Sequence, residues 1–347
     1  MSRVLVVTSG LSFGSGGHLV IARALAQALR DAGHQAEVRV TPQNPFGHQA
    51  AAYLSTWLTD VRTAQDGGPV DQVVSFRYPS YAVRHPHHVC WLNHRMREYY
   101  DLWDSFHATL TPAQQAKEAV RRGLIHRADH WLLTRHVTKL FAQSKTIQAR
   151  LQRFGGIPSE VLYPPPPQRP YRCEEYGDYL LAVSRLTKLK RLDLLIRALA
   201  RPEAGPTRAI IAGEGEARAE LEALARSLGV EGRVRLVGEV SPGQLVEYLA
   251  RCRAVCFPAY QEDYGFVTVE AFASSKPVVT CTDSGGPAEL VRDGVDGYVT
   301  APTDEALGNA LARLADDEQL AQELGANARQ AVSGLTWESV VGRLVIV

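Results

Sequence analysis

Ala254-Val255-Cys256-Phe257-Pro258 is a short apolar run, and after Ala259 comes Tyr260-Gln261-Glu262-Asp263-Tyr264-Gly265-Phe266-Val267-Thr268-Val269-Glu270-Ala271. The run reads as a strand ending near Pro258. A loop then carries Glu262 and Gly265, and a helix begins near Val267. This order places one carboxylate on a loop and a second, eight residues on, in the first turns of a helix. Both are expected at the carboxyl end of a parallel sheet, where open α/β folds bind ligands.

The same grammar extends outward in both directions. Tyr179–Val183, Arg208–Ala212, Val234–Val237 and Val278–Thr280 read as further strands. Helical patterns at 189–200, 216–228, 242–250, 267–275, 304–314 and 317–332 separate them. In the first half, Val4–Val7, Ala36–Val40, Gln72–Ser75, Val89–Leu92, Trp131–Thr134 and Lys139–Ala142 read as strands, with helices at 19–32, 47–65, 112–128 and 144–154. Alternation of this kind predicts βαβ units and parallel sheets. Between the halves lies Tyr163-Pro164-Pro165-Pro166-Pro167-Gln168-Arg169-Pro170, a stiff proline spacer. The expected organisation is a first α/β domain over 1–165, a second over 171–335, and a last helix within 336–347 that packs back on the first domain.

The 347 residues carry a formal net charge of +1, which hides an asymmetry. Residues 1–168 hold 18 Lys and Arg against 11 Asp and Glu, whereas residues 169–347 hold 20 against 26. All 11 histidines lie between His18 and His136. Two domains with different surfaces explain this, and so does a basic domain that meets an acidic acceptor or an anionic membrane surface. The basic residues are dispersed, with no run of five, and no nucleic-acid partner is expected. No stretch of about 18 apolar residues appears. The N-terminus enters a strand without the pattern of a secretory signal. The five scattered cysteines suggest buried thiols in a reducing cytoplasm rather than disulfides or a zinc site. A cytoplasmic location is expected, with peripheral contact at the inner membrane face left open.

Several loops at strand ends can carry chemistry. Gly10–Gly17, with Gly16 and Gly17 at its end, reads either as an anion-binding loop at a helix N-terminus or as a tight turn. Its glycine spacing is not the nicotinamide fingerprint, and no acidic residue ends the second strand. Ser184-Arg185-Leu186-Thr187-Lys188-Leu189-Lys190-Arg191 puts cations at a strand end. Arg185 and Lys190 can reach one diphosphate, while Lys188 and Arg191 are expected to face solvent. Gly213 and Gly238 end the next two strands and are read evenly as base-recognising loops or plain turns. Asp283-Ser284-Gly285-Gly286-Pro287-Ala288-Glu289 offers backbone amides to a phosphate or a hydroxyl. His94 follows an apolar strand and is either a structural hydrogen-bonder or a catalytic group. His85, His87 and His88 are interrupted by Pro86 and read as a surface turn rather than a metal site, and no metal ligands are assigned.

Taken together, Arg185 with Lys190, Gly213-Glu214-Gly215, the glutamate pair and Ser284–Glu289 resemble the retaining glycosyltransferases of the GT-B fold. More narrowly they are similar to the glycogen-synthase-like group 4 family, which uses nucleotide-diphosphate sugars. The resemblance is dense over the second half and looser over the first. It implies two doubly wound domains facing each other across a cleft. It also implies a UDP- or GDP-sugar donor with no further cofactor, no metal, and a hydroxyl acceptor that is a lipid-linked saccharide, a polysaccharide precursor or a small molecule. Residue by residue, it implies that Arg185 and Lys190 hold the diphosphate and that Glu262 contacts the transferred sugar. The amides of Gly265, Phe266 and Val267 would touch sugar or phosphate. Glu270 would take the ribose hydroxyls, Gly16 and Gly17 would approach the diphosphate or acceptor, and His94 would stand near the sugar. Arg191 departs from the pattern, since a glycine usually follows the lysine. A sugar-nucleotide epimerase, a phosphorylase and a nucleotide-sugar-binding subunit without turnover are the competing readings.

Overall fold

The structure is a computed structural model that describes residues 1–10, 17–42 and 47–347. The chain forms two compact units, Met1–Pro164 together with Thr336–Val347, and Pro165–Leu335.

Unit 1 holds six parallel strands: β1 Arg3–Gly10, β2 Gln35–Pro42, β3 Gln72–Ser75, β4 His88–Leu92, β5 Lys139–Ala142 and β6 Glu160–Val161. Their order across the sheet is β2-β1-β3-β4-β5-β6. Val4 to Val7 are fully buried, as a parallel strand covered on both faces requires. The helix Gly17–Asp31 follows β1, and Gly17 is its first residue. Gly16 lies outside the described residues. The last helix, Trp337–Leu344, belongs to this unit. Its Trp337 meets Trp91 of β4 edge-on at 6.3 Å, and Gln72 Nε2 donates to the Leu344 carbonyl at 2.7 Å.

Unit 2 holds β7 Tyr179–Val183, β8 Arg208–Ala212, β9 Val234–Gly238, β10 Ala254–Cys256, β11 Val278–Cys281 and β12 Gly297–Thr300. They are parallel, in the order β12-β11-β10-β7-β8-β9. The chain winds outward from β7 in one direction and then returns to wind outward from β10 in the other. The strand order therefore reverses between β7 and β10, which is the topological switch point where such sheets bind ligands. Leu180, Ala182, Ile211 and Cys256 from the strands pack with Leu195, Ile196, Leu199, Leu307 and Leu311 from the helices to form the core. Together the two six-stranded parallel sheets with flanking helices make the GT-B architecture.

Three local expectations are corrected. The apolar run Trp131–Thr134 is not a strand. It ends the 20-residue helix Pro112–Trp131 and continues into a π turn, Leu132–His136, that buries Leu132 and Leu133. Periodicity cannot separate a buried helix end from a strand in so short a run. The helix expected over 47–65 is Gln49–Leu58, which stops where Thr59 turns extended. The strand β12 was hidden by Gly297, whose missing side chain lets it lie against β11: a Cβ there would stand 2.0 Å from the Val278 carbonyl oxygen.

Candidate active site

The site is built at the switch point of unit 2. After β7 the chain runs through Ser184 to Thr187, makes a single 3₁₀ turn over Lys188–Lys190, and enters the helix Leu192–Ala200 through Arg191. After β10 it runs through Phe257 to the Glu262 loop and enters the helix Phe266–Ala273 through Gly265. The two exits meet. Tyr260 N donates to the Leu189 carbonyl at 2.7 Å, and Lys190 Nζ pairs with Glu262 Oε2 at 2.5 Å. The same ammonium lies 5.4 Å from the centre of the Phe257 ring. Arg185, two residues past the end of β7, is exposed.

The Glu262 loop is fixed by the Ser284-Gly285-Gly286-Pro287 turn. Gln261 N donates to the Asp283 carbonyl, Glu262 N to the Ser284 carbonyl, and Gly286 N to the Glu262 carbonyl, at 2.8 to 2.9 Å. This closeness explains the glycines. A Cβ at Gly285 would lie 2.5 Å from the Glu262 carbonyl oxygen, and one at Gly265, where φ is +80°, would lie 2.7 Å from Pro287. Gly265 therefore supplies both the left-handed turn and the clearance that starts the helix of Phe266 and Val267.

Arg191 does not face solvent, contrary to the sequence expectation. Its Nη1 and Nη2 take the two oxygens of Asp283 at 2.9 and 2.6 Å, and its Nε donates to the Pro258 carbonyl at 2.7 Å. Its backbone adopts φ +48°, ψ +39°, the conformation that glycine would take there without strain. The side-chain bonds hold an arginine in that position.

Glu270 sits in the middle of the apolar helix Phe266–Ala273 and is 6% exposed. Arg169 Nη1 and the Tyr171 hydroxyl both donate to its Oε1, the latter at 2.7 Å. Burial raises the Glu270 carboxyl above the ordinary range, and Arg169 and Tyr171 oppose that rise. Gly213 and Gly238 meet at the far side of β7. Gly213 N donates to the Gly238 carbonyl at 2.7 Å, and a Cβ at Gly213 would stand 1.8 Å from the Ser184 carbonyl oxygen. Close backbone approach thus accounts for Gly213 by packing alone.

His94 belongs to unit 1. It follows β4, its Nδ1 lies 2.7 Å from the Arg95 carbonyl, and it lines a pocket with Arg95, Arg97, Tyr100, Asp101 and Arg150. His88 is not part of a surface turn: it is fully buried in β4, 2.7 Å from Ser75 Oγ, and burial lowers its pKa to about 3. Cys173, expected to be buried, is exposed, while the other four cysteines are buried and unpaired. Among the described residues no group of three or more His, Cys, Asp or Glu could hold a metal ion.

Residues 170–331 match the family described as Glycosyl transferases group 1. This stretch, just under half of the chain, is similar to the group 1 glycosyl transferases. It contains Lys190, Glu262 and Glu270, and Arg169 stands one residue before it. The chain is similar to the D-inositol 3-phosphate glycosyltransferase of Streptomyces griseus, with 33% identity over 196 residues that cover 53% of this chain and 38% of that protein. The chain spans about two fifths of the length of the curated relatives it matches. Among solved structures it resembles HepE of Anabaena in complex with UDP and glucose, with a TM-score of 0.70, 19% identity and 98% of each chain covered. It also resembles sucrose-phosphate synthase of Thermosynechococcus elongatus, with a TM-score of 0.73, 16% identity and coverage of 99% and 97%.

Two residues that hold the site of unit 2 escape a motif reading. Arg169 lies in the proline spacer and Tyr171 directly after it, and both resemble linker residues. The signal that points to them is Glu270 itself, since a glutamate in the helix Phe-Val-Thr-Val-Glu-Ala-Phe-Ala must be buried and needs a cation or donor beside it.

Proposed function

We propose that this protein is a retaining glycosyltransferase that moves a sugar from a UDP- or GDP-sugar to a hydroxyl acceptor without a metal. The observation that carries the reading is the Lys190–Glu262 pair at the switch point of unit 2. Arg185 and Lys190 bind the donor diphosphate, the arginine through its planar donors and the lysine as a point charge. An ammonium has three donors, so Lys190 can hold Glu262 and a phosphate oxygen together. Glu262 then bonds the sugar being moved, Glu270 takes the ribose hydroxyls, and the amides at Gly265, Phe266 and Val267 approach the sugar or phosphate. By the family resemblance alone, Gly16 and Gly17 are assigned to the diphosphate or acceptor and His94 to the sugar.

In the reaction the bond between the anomeric carbon and the phosphate oxygen breaks, and a bond to the acceptor oxygen forms on the same face. The acceptor proton passes to the leaving phosphate. Negative charge grows on the diphosphate, and fixed cations stabilise it most in the transition state. Relatives named as glycosyltransferases and a fold neighbour in complex with UDP and glucose support a nucleotide-sugar donor. The acceptor is a lipid-linked saccharide, a polysaccharide precursor or a small molecule, used in the cytoplasm. A thermal-shift screen of nucleotide-diphosphate sugars tests the donor, because a ligand that binds the folded state raises its unfolding temperature. A UDP- or GDP-sugar should give the shift, and no shift with any of them would overturn the reading.

A further inference from the structure

One face of unit 1 carries a ridge that the proposed donor chemistry does not use. On the helix Pro112–Trp131, the residues Lys117, Val120, Leu124, Arg127 and Trp131 fall at spacings of three and four, so they form one line along the helix. All five are exposed, with Val120 at 68%, Leu124 at 60% and Trp131 at 48%. A ridge with three large apolar side chains in water is costly unless something covers it. It is also continuous with a second apolar surface. Trp131 lies against Trp57 at 5.5 Å, and on the helix Gln49–Leu58 the neighbours Leu54 and Leu58 are 58% and 65% exposed. The segment Gln49–Leu58 has no charged residue at all.

The charges on the ridge have one sign, and the structure shows why. The two acidic residues of the helix Pro112–Trp131 point inward. Glu118 bonds Tyr99 and Arg121, and Asp129 is fully buried, where it takes the hydroxyls of Tyr53, Tyr81 and Tyr100. Removing both acids from the surface leaves Lys117 and Arg127 as the exposed charges, interleaved with the apolar side chains. Around them, residues 1–168 carry seven more basic than acidic groups.

We propose that this face, the ridge Lys117–Trp131 with Leu54 and Leu58, is a docking surface for an anionic lipid membrane. An interfacial helix of this type lies in the membrane plane with leucine and tryptophan in the headgroup boundary and lysine and arginine among the anionic headgroups. A nucleic acid fits the face less well, because binding there rests on many phosphate contacts and the apolar side chains would meet charged backbone. The inference goes beyond the glycosyl-transfer reading and is independent of it, since it concerns unit 1 and needs no donor.

Co-sedimentation of the full chain with vesicles provides the test. The protein should sediment with phosphatidylcholine–phosphatidylglycerol vesicles, much less with pure phosphatidylcholine, and less as salt rises. Lys117→Ser with Arg127→Ser should weaken the anionic binding by roughly twentyfold, at about fivefold per cation. Val120→Ser with Leu124→Ser should weaken it while leaving the circular dichroism and the thermal shift with nucleotide sugars unchanged, because both residues are exposed. The proposal is overturned if the wild type does not sediment with anionic vesicles. It is equally overturned if both double variants sediment like the wild type, or if the wild type binds double-stranded DNA in preference to those vesicles.

Discussion

Arg191 grips both carboxylate oxygens of Asp283, at 2.9 and 2.6 Å, and so ties the exit of β7 to the exit of β11 across the β10 loop between them. The pair is partly buried, with side-chain exposures of 19% and 30%. It also holds Arg191 in a left-handed conformation that costs a non-glycine residue about 1 kcal/mol. Arg191→Ala removes the pair and keeps the strain, and it should lower stability by about 2 kcal/mol. Arg191→Gly removes both, and it should be about 1 kcal/mol more stable than the alanine variant. Urea unfolding of the two variants checks the order, and an alanine variant at least as stable as the glycine variant would contradict the account.

The two glutamates should separate in kinetics. Glu262→Gln leaves the nucleoside contacts alone, so UDP or GDP affinity should hold while kcat falls about a hundredfold, in the range of losing one preorganised charge contact. Glu270→Gln weakens the ribose contact in ground and transition state alike, and it should cost about tenfold in nucleotide affinity, near 1.4 kcal/mol. Calorimetric titration with the free nucleotide distinguishes the two. Equal affinity losses in both variants would sink the division of labour.

Lys190 is bonded to Glu262, so their effects should not add. Lys190→Ala removes the cation proposed for the diphosphate and leaves Glu262 without its partner, while Glu262→Ala leaves Lys190 without its own. The double variant should lose less transition-state stabilisation than the two single losses together, by about 1 kcal/mol or more. Steady-state rates of transfer or donor hydrolysis give the cycle, and strict additivity would show that the 2.5 Å contact is not functional.

Much of unit 2 was legible because its signals are local. Apolar runs of four or five residues mark β7 and β8, and Arg185, Lys190, Glu262 and Gly285 lie on the loops that follow strand ends. What escaped is what the chain brings from afar. Asp283 is 92 positions from Arg191, and no local pattern tells a solvent-facing arginine from one that bridges two loops. Arg169 reaches Glu270 across 101 positions from a proline spacer. In unit 1 the three tyrosines around Asp129 come from separate elements, and Trp131–Thr134 reads as a strand until its helix is seen whole.

Asp129 gives a prediction for unit 1. Its carboxylate accepts from Tyr81 at 2.6 Å, from Tyr100 at 2.7 Å and from Tyr53. Tyr81→Phe and Tyr100→Phe each remove a hydrogen bond to a buried acid, and each should cost about 1.5 to 3 kcal/mol in unfolding. A loss under half of that in both would show that the network does not hold the helix Pro112–Trp131 in place.

The last prediction concerns pH at Glu270. Burial raises its carboxyl in the folded protein, so the folded state binds a proton more readily than the unfolded chain does. Its contribution to stability is therefore most favourable in acid and declines as pH rises from the unfolded carboxylate range through the raised folded value. The ribose contact proposed for Glu270 would need the ionised form and so runs the other way: nucleotide affinity should fall as pH drops through that raised value, sooner than for an ordinary glutamate. Arg169 holds the rise in check. Arg169→Met should move the acid limb of the affinity profile to higher pH, Tyr171→Phe should move it the same way, and Glu270→Gln should abolish it. Nucleotide titrations across the acid range measure all three, and an Arg169→Met profile that matches the wild type would show that Arg169 does not hold Glu270 ionised.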